Sequence, residues 1–121
     1  MSRATSRILS LLILSALFAS SGALAQPGKI TDYRIAAQRL YQAWKTHDRA
    51  AALRVAPADA VDKLLGVKWR PMRSKGCRQR DEGGFQCVYE DPKLDLRVAF
   101  TIDGGVSAGY GVSAVSFSSE E

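Results

Sequence analysis

The stretch "LDLRVAFTI", residues 94–102, decides the fold class. Leu94, Leu96, Val98, Phe100 and Ile102 alternate with Asp95, Arg97, Ala99 and Thr101. A period of two sends successive side chains to opposite faces of a strand, so this pattern predicts one dry face and one wet face. A strand covered on one side only belongs to an antiparallel sheet. Turn signals bracket it, Glu90-Asp91-Pro92-Lys93 before and Asp103-Gly104-Gly105 after. Upstream, Phe85, Cys87 and Tyr89 alternate with Gln86 and Val88. Downstream, Tyr110 to Phe117 offers a fourth strand whose small residues leave its register open.

The two cysteines of the chain lie at either end of "CRQRDEGGFQC", residues 77–87. A zinc site needs four ligands, or three and an open position, and two cysteines with one histidine supply neither. The spacing is also not the C-x-x-C of a redox dithiol. Asp81-Glu82-Gly83-Gly84 between them reads as a turn, so Cys77 and Cys87 are expected on neighbouring antiparallel strands, joined as a disulfide. Closing a loop of this length stabilises the fold by about 2–3 kcal/mol in the chain-entropy model.

Ahead of the strands the period is helical. Tyr33, Ala37, Leu40 and Trp44 make one apolar stripe, with Thr31 as the expected N-cap and Asp32 in the first turn. The Thr46-His47-Asp48 break ends this helix, and Asp48 is placed to cap a short second one over Arg49 to Val55. Pro57 suits the first turn of a third helix, Ala58 to Leu65, closed by Gly66. Helices followed by a meander predict an α+β fold: two or three N-terminal helices packed on a three- or four-stranded antiparallel meander with one disulfide. Trp44, Leu40, Leu64, Phe85, Leu96, Val98 and Phe100 are the expected core.

The N-terminus carries a compartment signal. Arg3 and Arg7 precede the apolar run Ile8 to Phe18, and Ala23-Leu24-Ala25 is a small-residue cleavage site. The run falls short of the ~20 residues that span a bilayer. The expected layout is a secretory signal peptide over 1–25, a single α+β domain over 26–118 and a disordered tail over 119–121. The expected location is the periplasm or the extracellular space, with no membrane span after cleavage. A domain this small buries only about 60–70% of its unfolded surface, so a covalent staple is valuable.

The net charge of +5 falls by two when Arg3 and Arg7 leave with the leader. What remains is concentrated: Lys63, Lys68, Arg70, Arg73, Lys75, Arg78 and Arg80 are answered only by Asp81 and Glu82. A solvated face accounts for such a run, and so does a surface for an anionic partner. Trp69, between Lys68 and Arg70, either packs at the start of the first strand or offers an aromatic platform beside those cations. The candidate binding surface is therefore Lys68, Trp69, Arg70, Arg73, Lys75, Arg78 and Arg80.

Other chemistry is sparse. His47 beside Asp48 is the one acid–base candidate, though Asp48 has a simpler occupation as a cap. No nucleophile elbow, phosphate loop or metalloprotease motif occurs in the sequence. No catalytic residue, metal or cofactor is assigned.

The segment "AAQRLYQAWKTHDRAAALRVAPADAV", residues 36–61, resembles the opening of the nuclear-transport-factor-2-like cone, where a helix with an A-W element turns through an Asp into a second helix. The series Ala43-Trp44, Asp48, Ala51, Ala60-Val61, Leu64, Cys77 and Cys87-Val88-Tyr89 is similar to a group of small exported bacterial proteins of unknown function. This resemblance implies helices on a curved sheet and carries no catalytic residues. The chain has a shorter meander than a full cone.

The residues thus predict an exported, non-enzymatic module that binds an anionic envelope component or a protein, with nucleic acid not expected. Two alternatives stand beside it: a small enzyme using His47 in a helix–sheet cleft, and a structural accessory subunit whose sheet edge pairs with a partner.

Overall fold

A computed structural model of the chain describes residues 29–93 and 95–119. The expected leader, residues 26–28, Leu94 and the acidic end at 120–121 lie outside the described residues. Three helices, α1 (Tyr33–Thr46), α2 (Arg49–Leu53) and α3 (Ala58–Leu65), precede four strands, β1 (Arg73–Gln79), β2 (Phe85–Asp91), β3 (Leu96–Gly105) and β4 (Gly109–Ser119). The strands form one antiparallel sheet in the order β1-β2-β3-β4. The fold is α+β with a single disulfide among the described residues.

Helix boundaries follow capping chemistry. Asp32, not Thr31, caps α1: its carboxylate accepts from the Arg34 backbone N–H at 2.9 Å. A charged acceptor satisfies an orphan helix donor better than a neutral hydroxyl. The Arg34 side chain also donates to this carboxylate, which holds it below its ordinary pKa. At the other end His47 adopts a left-handed conformation, φ 54°, and the Asp48 N–H returns to the Ala43 carbonyl at 2.8 Å. Asp48 then caps α2 by accepting from Ala51 N at 3.0 Å, as its position in the sequence predicts. α2 stops at Leu53, two residues earlier than expected: the Arg54 and Val55 N–H groups turn to carbonyls three residues back, Ala51 at 3.2 Å and Ala52 at 3.0 Å, and Pro57 has no N–H to continue the ladder to Leu53. The freed Val55 carbonyl accepts from the Val112 N–H of β4 at 2.7 Å. Pro57 is the N-cap of α3 rather than a member of its first turn, and Gly66 is its C-cap. An ion pair of Arg49 with Asp62 links α2 to α3.

The core lies between the helices and one face of the sheet. Trp44, Leu40, Ala36 and Ala37 of α1 and Val61 and Leu64 of α3 meet Val98, Phe100 and Ile102 of β3 and Val112 and Val115 of β4. Trp44 and Phe100 are at most 1% exposed. Each fully buried large side chain contributes about 1.5–3 kcal/mol through removal of apolar surface from water. Phe85 and Leu96, expected in the core, are half-buried at its margin; Phe85 stacks on Tyr33 with ring centroids 3.7 Å apart. Helix contacts fall on β4, β3 and, through α1, β2. β1 stands beyond this layer: six of its seven residues are exposed and only Cys77 is half-buried.

Candidate anion-binding surface

Strand β1 is held to β2 by register, by a turn and by a covalent bond. Cys77 and Cys87 are directly opposite, with Cα atoms 4.0 Å apart, and form the disulfide that the sequence predicts. This is close to the spacing of the narrow, non-hydrogen-bonded pair of an antiparallel ladder, about 4.5 Å. The turn closes through Arg80 N–H to Gly84 O at 2.9 Å and Gly83 N–H to Arg80 O at 3.1 Å. Gly84 has φ 78°, and a Cβ there would lie 2.5 Å from the Ile102 carbonyl oxygen. Only glycine fits.

The connector from α3 to β1 carries Lys68, Trp69 and Arg70, and two side chains of α1 fix it. Trp44 Nε1 donates to the Val67 carbonyl at 2.7 Å, and Tyr41 OH accepts from Met72 N at 3.2 Å. Trp69 lies in this connector and does not begin β1, which starts at Arg73. Its ring is half-buried, edge-on to Tyr41 at 6.2 Å, with the Lys45 ammonium 5.4 Å from its centroid. Such a cation–π contact is worth about 0.5–1 kcal/mol at an exposed site. Lys68 points to solvent.

The disulfide register sends Arg78 to the sheet face away from the helices, opposite Gln86, whose amide oxygen it reaches at 3.3 Å. A bulge between Ser74 and Gly76 leaves Lys75 as an extra residue on β1, and its ammonium approaches Glu90 at 3.8 Å. Glu90 also accepts from Arg97 of β3 at 3.1 Å. Lys75, Arg78 and Arg97 surround a shallow hollow of about 260 Å³ floored by Gly76 and Val88. Farther along this face the side chains are small, Ala99 opposite Val88 and Ser116 opposite Ala99.

The predicted surface residues therefore separate. Lys75 and Arg78 gather on the outer sheet face; Arg70 and Arg73 sit at the foot of β1 beside the β2–β3 turn; Trp69 lies against α1 while Lys68 beside it faces solvent. Arg80 is engaged in its own turn, reaching Gly83 O at 3.3 Å and Glu82 at 3.4 Å. Arg97 and Lys93 join these cations and are absent from the sequence-derived surface. The alternation that placed Arg97 on a wet face was the available signal, but only strand order shows which cations it meets. His47 stands in the turn between α1 and α2, exposed, and lines neither the outer-face hollow nor the cleft at the foot of β1.

A large pKa displacement lies on the core side of the sheet. Burial against the helices pushes the Tyr89 phenol up to about 12, with Tyr41 stacked on it at 4.3 Å adding to the effect. Among the described residues no cluster of three or more His, Cys, Asp or Glu side chains has metal-binding geometry, and no helix is long and apolar enough to cross a membrane. No protein-family model, curated protein or solved structure matches this chain.

Proposed function

We propose that the protein is an exported, non-enzymatic binding module whose basic sheet face captures an anionic envelope component or an acidic protein surface. The observation that carries this reading is the convergence of cations from separate strands, Lys75 and Arg78 on β1 and Arg97 on β3, on a face that none of the described helices covers. A charged cluster over small side chains focuses potential and draws polyanions at rates that fall with salt. The leader expected at residues 1–25 and the disulfide agree with work in an oxidising compartment. Pairing of a partner with the β1 edge is disfavoured, because a bulge and a row of Arg and Lys are what natural sheets use to keep edges single.

The test uses polyglutamate and polyphosphate as probes. The full chain is expected to bind at least one of them with an affinity that falls steeply as salt rises, and the double variant Lys75→Glu/Arg78→Glu is expected to lose at least tenfold with its melting temperature almost unchanged. Equal binding by the variant, or no binding of either probe by the parent chain, refutes the reading.

A further inference from the structure

A second hollow, of about 370 Å³, opens where the connector enters β1 and meets the β2–β3 turn. Three cations from two parts of the chain line it, Arg70 and Arg73 from the connector and β1 and Lys93 from the turn. None of the three has an ion-pair partner among the described residues. Asp91 also lines it, but Asp91 is 7% exposed and its Oδ1 accepts from the Lys93 backbone N–H at 3.0 Å, which shapes the turn. The lining residues therefore carry three positive charges against one negative.

Arg70 adds a second, independent observation. Its Nε is buried and has no acceptor among the described residues. A buried donor without a partner is costly, and natural structures seldom leave one unused. The position is also rigid: Tyr41 and Trp44 hold the backbone on either side of Arg70, and Pro71 fixes the following φ. A connector held in place before a ligand arrives loses little backbone freedom on binding.

We infer that this hollow is a phosphoryl-binding site. The inference rests on the anion-binding reading above and names the ligand chemistry at its lower end. A carboxylate presents two oxygens in one plane, whereas cations approaching from the connector and from the opposing turn call for acceptors pointing in several directions. A phosphoryl group supplies three. Met72, Pro71 and Pro92 give apolar walls that accommodate the organic part of a phosphate ester. The same chemistry is found on soluble phosphate esters and on phospholipid headgroups.

Amide chemical shifts of the ¹⁵N-labelled full chain are followed on titration with inorganic phosphate, glycerol 3-phosphate, glutarate, and vesicles of phosphatidylcholine with or without phosphatidylglycerol. Saturable shifts confined to Arg70, Met72, Arg73, Asp91 and Lys93 are expected with the phosphate ligands, with glutarate weaker by about tenfold. Arg70→Gln and, separately, Lys93→Gln are expected to weaken binding by about tenfold, the loss of one charge-assisted contact. Lys93 is exposed in a turn, so its variant keeps the test valid if Arg70→Gln fails to fold. A response to glycerol 3-phosphate assigns the soluble source; a response to phosphatidylglycerol vesicles only assigns the headgroup. Glutarate matching phosphate, or both variants binding like the parent, overturns the inference. If polyglutamate still binds through Lys75 and Arg78 while every phosphate ligand leaves the hollow silent, this inference falls and the broader reading stands. Silence toward all anions removes both.

Discussion

The two halves of the sheet are held by different forces. β3 and β4 lie under the helices, with Val98, Phe100 and Ile102 at 0% exposure, and their stability is that of apolar burial. β1 has almost no buried surface and is held to β2 by hydrogen bonds, a glycine-dependent turn and the Cys77–Cys87 bond. A strand can thus be kept in fixed register while contributing little to the core. Its side chains are then available to solvent and to ligands.

The comparison breaks most severely on its buried side. Phe100→Ala is expected to cost about 3–5 kcal/mol, because it removes transfer free energy and leaves a cavity in a packed layer. Chemical denaturation would show cooperative loss of the whole fold; a cost below 1 kcal/mol would contradict the assigned core. Removing the staple with Cys77→Ala/Cys87→Ala is expected to cost about 2–3 kcal/mol. Here hydrogen exchange is the sharper measurement. Amides of β1 and the Arg80–Gly84 turn are expected to lose protection first, ahead of those of β3, since apart from Cys77 the side chains of β1 lie outside the core. Uniform loss across both halves would show that β1 is not the separable part.

The smallest expected effect concerns the boundary between the halves, where Tyr89 of β2 is covered by Tyr41. Its phenol titrates at about 12 in the folded chain and near 10 when unfolded. Between these values the folded state holds a proton that the unfolded state has released. Stability is therefore intact below about pH 10 and declines as pH rises through 12, by about 3 kcal/mol at most. Tyr89→Phe is expected to flatten this alkaline decline relative to the parent, read as melting temperature against pH; an unchanged slope would show that Tyr89 is not the responsible group.

Features governed by neighbours in sequence were legible in advance. The Asp48 cap, the Gly66 stop, the hairpin between the cysteines and the alternation through Phe100 all depend on a few adjacent residues and on local backbone chemistry. At the first cap the sequence favours Thr31, one residue early: Thr31 and Asp32 both qualify by type, and only the Arg34 contacts distinguish them. β1 was legible only through its cysteine, because "RSKGCRQ" has no apolar alternation for a strand with neither face in the core. Trp69 was given two roles by the sequence, and the structure places it in the connector, where Tyr41 and Lys45 meet it.

Local residue patterns suffice for an α+β chain with its helix stops, its stapled hairpin and a concentration of positive charge. Which charges share a site depends on packing: antiparallel register and the bulge at Lys75 bring Lys75 and Arg97 to Glu90, and the β2–β3 turn places Lys93 in one hollow with Arg70. Register and bulge position depend on how the apolar faces pack, a property of the whole chain and not of any local stretch.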